Sequence, residues 1–178
     1  VYLLLEGRVK ITRTDPTTLR ELILFIVRPG EFFGLPGPGT DRTARSNAVA
    51  LQRSLVGCMS RESYQRLARE REFSEAVEKL IGERLTRVTE RLDELVFRDV
   101  PSRLAGQLLR LASEFPRVLN GSTVIDVSLT QQDIADLIGS TRESANIAMN
   151  ALKREGVIDM DRRSIVIRDH ERLRGLTA

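Results

Sequence analysis

The sequence LTQQDIADLIGSTRESANIAMNALKREGVI, from Leu129 to Ile158, reads as two short helices joined by a tight turn. Thr130 can cap a first helix running to Ile138, with Asp133 three residues on in the carboxylate position of a capping box. Ile134, Leu137 and Ile138 then recur at helical spacing. Gly139 falls where that helix must stop and the chain must turn, a place for a residue tolerant of positive φ. Ser140 or Thr141 can cap a second helix from Arg142 to Glu155. At roughly 100° per residue, Ala145, Ala148, Met149 and Leu152 share one face of that helix. Glu143, Asn146, Ile147, Asn150 and Arg154 fall on the other, with Arg142 and Lys153 at its margin. Two amphipathic helices about a glycine turn, with a polar outer face, have the outline of a helix-turn-helix.

The residues just C-terminal to this stretch strengthen that outline. Val157 to Met160 and Ile165 to Ile167 are short apolar runs around the charged turn Asp161-Arg162-Arg163-Ser164, which is a hairpin signal. A hairpin directly after the second helix makes a wing, and Arg162 and Arg163 at its tip suit phosphate contact. The tail from Asp169 to Leu176 reads as a final short helix.

Upstream, the chain divides into a β-rich part and a helical part. Val1 to Leu5 and Arg8 to Thr14 are strand-like and are separated by Glu6-Gly7. Leu19 to Val27, Ala44 to Leu51 and Ser54 to Met59 add further short strands, with the breaker-rich loop Pro36-Gly37-Pro38-Gly39 between them, as in an antiparallel roll or barrel. The chain opens already inside a strand, as though a preceding segment had been trimmed. A long helix then runs from Phe73 to Phe97, and Val77, Ile81, Leu85, Val88, Leu92 and Leu95 along it are spaced by 4, 4, 3, 4 and 3 residues. Charged residues flank that seam, which favours a parallel dimer helix over the other reading of the pattern, a helix packed on its own domain. Asp99-Val100-Pro101 restarts the pattern as a cap and first turn, and Leu104, Leu108, Leu111 and Ala112 line one face of the next helix. Asn120-Gly121 reads as a turn and Val124 to Val127 as a short strand.

Composition excludes more than it selects. The chain has 178 residues and a formal net charge of +3, so only the local placement of charge argues for a nucleic-acid partner. One cysteine, Cys58, rules out an intramolecular disulfide and a cysteine-ligated iron–sulfur cluster within the chain. With His170 the only histidine, neither a conventional zinc site nor a Ser-His catalytic pair is expected, and no metal ligands are assigned. No apolar run approaches the roughly twenty residues of a membrane span, and no signal peptide is evident, so the expected location is cytoplasmic.

The order of parts resembles the cyclic-AMP receptor protein and fumarate–nitrate regulator (CRP/FNR) family. The resemblance is carried by Leu5-Glu6-Gly7-Arg8-Val9, by Pro29-Gly30-Glu31-Phe32-Phe33-Gly34, by Leu129 to Ala135, and most of all by Gly139-Ser140-Thr141-Arg142-Glu143-Ser144. It implies an α+β architecture: an N-terminal antiparallel β-roll of the cupin-like jelly-roll kind over residues 1–72, a dimerisation helix over 73–98, and a winged helix-turn-helix over 99–178. It implies a dimeric bacterial transcription regulator that binds a roughly palindromic double-stranded DNA site, with RNA polymerase as a further partner and no enzymatic activity.

Site residues follow from the same resemblance. Arg142 matches the family arginine that grips guanine, and Glu143 the glutamate that accepts from cytosine, although Glu143 could instead complete a capping box with Ser140. Thr130, Gln132 and Thr141 match phosphate-holding positions, joined by Lys153, Arg162 and Arg163. Asn146-Ile147 departs from the family pattern; Asn146 can pair with adenine and Ile147 can pack on a thymine methyl. Val77, Ile81, Leu85, Val88, Leu92 and Leu95 form the expected dimer seam.

The effector site departs further. Cyclic-nucleotide members of the family carry a glutamate just after the glycine of the Phe-x-Gly segment, and an Arg-Ser or Arg-Thr pair beyond it. Here Leu35 follows Gly34, while Arg42-Thr43 and Arg45-Ser46 only echo the phosphate pair. The expected pocket comprises Gly34, Leu35, Arg42, Thr43, Arg45 and Ser46, with cyclic AMP not expected as ligand, no cofactor, and no effector identified. A second reading is a small-molecule sensing module with a vestigial DNA-binding domain.

Overall fold

A computed structural model describes residues 1–35, 46–119, 122–161 and 164–177. It divides into two compact units, Val1–Arg91 and Leu92–Ala178. Among the described residues the first unit holds strands β1 (Tyr2–Glu6), β2 (Val9–Thr14), β3 (Glu21–Val27), β4 (Phe32–Phe33), β5 (Asn47–Ala50) and β6 (Leu55–Cys58). They form two antiparallel three-stranded sheets, ordered β4-β1-β6 and β3-β2-β5. Leu4, Val9, Ile11, Val27 and Phe33 make the core, with Leu24 and Phe25 packed against it.

Two sequence motifs explain how this unit closes. Gly7 has a φ of +91°, and a Cβ there would lie 2.2 Å from the Ser54 hydroxyl oxygen, so the β1–β2 turn requires glycine. The Arg8 amide in turn donates to Ser54 Oγ at 3.2 Å. In the Pro29-Gly30-Glu31 turn, the Gly30 amide donates to the Leu4 carbonyl at 2.8 Å, and the Leu4 amide to the Glu31 carbonyl at 3.1 Å. The Glu31 carboxylate also takes the Arg28 guanidinium at 2.6 Å, which fixes the turn from the side-chain side.

Helix α1 (Arg61–Leu67) leads to α2 (Arg71–Phe97). One face of α2 packs on its own β-unit. Phe73 meets the rings of Phe32 and Tyr64 edge-on, Arg84 donates to the Phe32 carbonyl at 2.5 Å, and Arg91 donates to the Ile23 carbonyl. The Arg84 guanidinium also lies over the Phe25 ring at 4.3 Å, and burial there draws its pKa below the ordinary arginine value.

The expected seam on α2 needs one correction. Val77 is buried within its own unit at 7% exposure. Ile81, Leu85, Val88 and Leu92 stay exposed at 50, 65, 43 and 56%, Leu95 is half-buried, and Val96 extends the open stripe.

The second unit contains α3 (Val100–Glu114), β7 (Pro116–Leu119), β8 (Ser122–Ile125), α4 (Gln131–Ile138), α5 (Arg142–Arg154), β9 (Ile158–Asp161), β10 (Ser164–Ile167) and α6 (His170–Gly175). Asp99 caps α3, accepting from the Ser102 amide at 2.9 Å, and Pro101 sits in the first turn where no N–H is needed. Leu104, Ala105 and Leu108 are fully buried, and the core gathers Leu111, Phe115, Val124, Ile125, Ile158, Ile167 and Leu173 around them. The hairpin β9–β10 is one edge of an antiparallel four-stranded sheet ordered β7-β8-β10-β9. Strand β7 was not expected. It is short, fully exposed and starts with Pro116, so it has neither alternation nor an apolar run to announce it.

Candidate nucleic-acid interface

The helix pair is built by local hydrogen bonds that its sequence dictates. Thr130 Oγ1 accepts from the Asp133 amide at 3.1 Å, while the Thr130 amide and hydroxyl donate to Asp133 Oδ2 at 2.8 and 2.7 Å. That closes the capping box at the start of α4. It also engages the Thr130 hydroxyl on both its donor and acceptor sides, so its assigned phosphate contact competes with the cap. Gln132 is exposed, and its amide donates one hydrogen to Asp136 Oδ1 at 2.8 Å, which leaves the second N–H to donate elsewhere. Gly139 ends α4 in the left-handed region, at φ 61° and ψ 45°, with the Ser140 amide donating back to the Ala135 carbonyl at 3.0 Å.

The start of α5 settles two open alternatives. Thr141, not Ser140, is the cap: its Oγ1 accepts from the Ser144 amide at 3.2 Å and its hydroxyl donates to Ser144 Oγ at 3.0 Å. Ser144 therefore occupies the third helical position, and Glu143 is one residue too early to complete a capping box. Its carboxylate is exposed and makes no hydrogen bond or ion pair to any described residue, so it is free to accept one from a ligand. Arg142 is likewise exposed, with its guanidinium in no ion pair among the described residues.

The two faces of α5 separate cleanly. Ala145, Ala148, Met149 and Leu152 are buried at 1, 6, 4 and 4% exposure. Arg142, Glu143, Ile147, Asn150, Lys153 and Arg154 are exposed, and Ile147 stands out at 70%. Asn146 is half-buried: its carbonyl oxygen accepts from Gln131 of α4 and from Asn150, each at 3.3 Å. Gln131 carried no functional signal in the sequence, and only the crossing of α4 and α5 places it there. At the base of the wing, Arg168 bridges Ser122 and Asp159, at 3.1 and 3.4 Å. Arg162 and Arg163 lie outside the described residues.

Of the expected effector residues, Arg42, Thr43 and Arg45 also lie outside the described residues. Gly34 follows β4 at φ 64°, where a Cβ would crowd the Tyr2 ring at 2.9 Å; Leu35 is half-buried and Ser46 exposed. Among the described residues no group of three or more His, Cys, Asp or Glu side chains could hold a metal ion, and no helix is long and apolar enough to cross a membrane.

Residues 1–71 match the model of the cyclic nucleotide-binding domain, and residues 102–176 that of the Crp-like helix-turn-helix domain. A CRP-like cAMP-activated global transcriptional regulator of Mycobacterium tuberculosis is 35% identical, over 97% of this chain and 77% of its own. The chain belongs to the CRP/FNR family of transcription regulators. A global nitrogen regulator of Nostoc is 28% identical, over 94% of this chain and 76% of its own. The crystal structure of a CRP/FNR-family transcriptional regulator from Thermus thermophilus superposes with a TM-score of 0.78 at 25% identity, covering 99% of this chain and 86% of that one. The CRP/FNR resemblance read from the motifs therefore holds, as does the α+β architecture with a C-terminal helix-turn-helix. As in its CRP/FNR relatives, that domain is for DNA binding in the control of transcription, not for enzymatic chemistry.

Proposed function

We propose that the chain acts as a homodimer that reads a roughly palindromic site, placing one copy of α5 in each of two successive major-groove faces. The observation that carries this reading is the state of Arg142 and Glu143: adjacent and exposed at the start of a capped helix, their side chains making no hydrogen bond or ion pair to any described residue. A free guanidinium forks onto guanine O6 and N7, and a free carboxylate accepts from cytosine N4. Ile147 adds an apolar contact suited to a thymine methyl. Gln132, Lys153, Arg162 and Arg163 serve the phosphates, while Thr130 and Thr141, whose hydroxyls are held on both sides by the helix caps, reach a phosphate only by giving up a capping bond. The open stripe Ile81, Leu85, Val88 and Leu92 supplies the dimer contact. Recruitment or exclusion of RNA polymerase is the step through which binding changes transcription.

The test is selection from random duplex DNA at two salt concentrations. A palindrome with half-sites one helical turn apart supports the reading, and binding without sequence preference refutes it. An intact, polar and well-capped reading face speaks against the alternative of a sensing module with a vestigial DNA-binding domain.

We also propose that the protein works without cyclic AMP. Leu35 stands where a ribose-binding carboxylate belongs, and a buried polar ligand deprived of a partner binds poorly. The names of its mycobacterial and other relatives favour the opposite reading, activation by cyclic AMP. Titration calorimetry decides between them: saturable heat with cyclic AMP, coupled to tighter DNA binding, overturns independence.

A further inference from the structure

The recognition helix carries an internal polar relay that the base-reading assignment does not absorb. Gln131, exposed in the first turn of α4, and Asn150, one turn along α5, both donate to the single carbonyl oxygen of Asn146, each at 3.3 Å. An asparagine amide has one acceptor oxygen and one donor nitrogen. With two donors gathered on the oxygen, what Asn146 has left to offer is its NH2 group. A free asparagine could pair with adenine through both atoms; this one is turned so that its acceptor is already in use.

We infer that Gln131 is a positioning residue that fixes the polarity of Asn146, so that α5 offers only hydrogen-bond donors at that point and rejects cytosine. The inference rests on the reading that α5 lies in the major groove. There cytosine presents only its N4 donor, whereas guanine presents two acceptors and thymine and adenine one each. A donor facing a donor makes no bond and loses the water each had, so cytosine is disfavoured on the strand that Asn146 faces. Gln131 thus acts on sequence choice from a helix that itself needs to touch no base. Exchanging Gln131 for Glu replaces the donor with an acceptor. Asn146 then turns its NH2 group toward position 131, Asn150 turns its own amide to offer its oxygen to that NH2, and Asn146 presents its oxygen outward, the polarity that cytosine N4 or adenine N6 satisfies.

The experiment is selection from random duplex DNA with the full chain as wild type, N146A, Q131A and Q131E, each checked for folding by circular dichroism. The base position that loses its preference in N146A is the one Asn146 faces, and there the wild type is depleted in cytosine. Q131E raises the cytosine-to-guanine ratio at that position by about fivefold or more, the range a single base-edge interaction commands. Q131A raises adenine there, and the Q131A/N146A double variant selects as N146A alone. Unchanged base frequencies in Q131E and Q131A, with affinity lost uniformly and a shallower salt dependence, overturn the inference and leave Gln131 a phosphate contact. An N146A variant that selects as the wild type does overturns it too. A wild-type protein that selects no motif overturns the groove reading itself, and this inference with it.

Discussion

Replacing Leu85 with Ala tests the proposed dimer at the point where the protomer has least to lose. Leu85 is 65% exposed, so the change leaves no cavity in the folded protomer and does not touch the face of α2 that holds Phe32 and Phe25. Full burial of a leucine side chain stabilises by roughly 1.5–3 kcal/mol. Covering the exposed 65% in a dimer therefore contributes about 1–2 kcal/mol per protomer. Two-fold symmetry doubles it to about 2–4 kcal/mol, a rise of roughly 30- to 1,000-fold in the dimer dissociation constant. Sedimentation equilibrium measures that constant, and circular dichroism checks that the helix content of the variant is kept. A wild type that stays monomeric at concentrations where it binds DNA, or an unchanged constant in the variant, refutes the seam. The companion substitution Val77→Ala should behave differently. Val77 is 7% exposed, so its loss lowers the melting temperature of the protomer rather than the strength of the dimer.

Other substitutions separate reading from folding. Arg142→Ala should lose about 1–3 kcal/mol of discrimination at one guanine position in competitive binding, with the protein's melting temperature unchanged because the side chain is exposed and in no ion pair among the described residues. Ile147→Arg should shift the selected base at the inner half-site positions, which sequencing of selected DNA reports directly. Gly139→Ala places a Cβ at φ 61° and should destabilise the second unit by about 1–2 kcal/mol in denaturant titrations, while misaligning α5 against the DNA. Asp99 gives a pH signature. The Ser102 hydroxyl and amide donate to its carboxylate and hold its pKa below the ordinary 3.8. A group depressed in the folded state stabilises above its unfolded value and loses that effect as pH falls through the folded one. Stability of the second unit should therefore drop below about pH 4, and Asp99→Asn should flatten that part of the profile.

Much of this protein is written in local pattern. The capping box of α4, the left-handed Gly139, the apolar face of α5 and the Asp99-Val100-Pro101 start of α3 all depend on residues within a few positions of one another. Their backbone chemistry is satisfied or not by that neighbourhood alone, so the sequence by itself determined them, together with the family and the candidate reading face. Even the Glu6-Gly7 turn was legible, although only the approach of Ser54 shows why no other residue fits. Tertiary structure decided the rest, because it depends on contacts between elements distant in the chain. It buried Val77 and added Pro116–Leu119 as a strand only by pairing it with β8. It also brought Gln131 to Asn146 across the helix crossing, 15 residues apart in sequence, and so set which atom of that amide faces outward. Periodicity reports which face a residue is on; hydrogen-bond polarity across two helices is fixed only when both are in place.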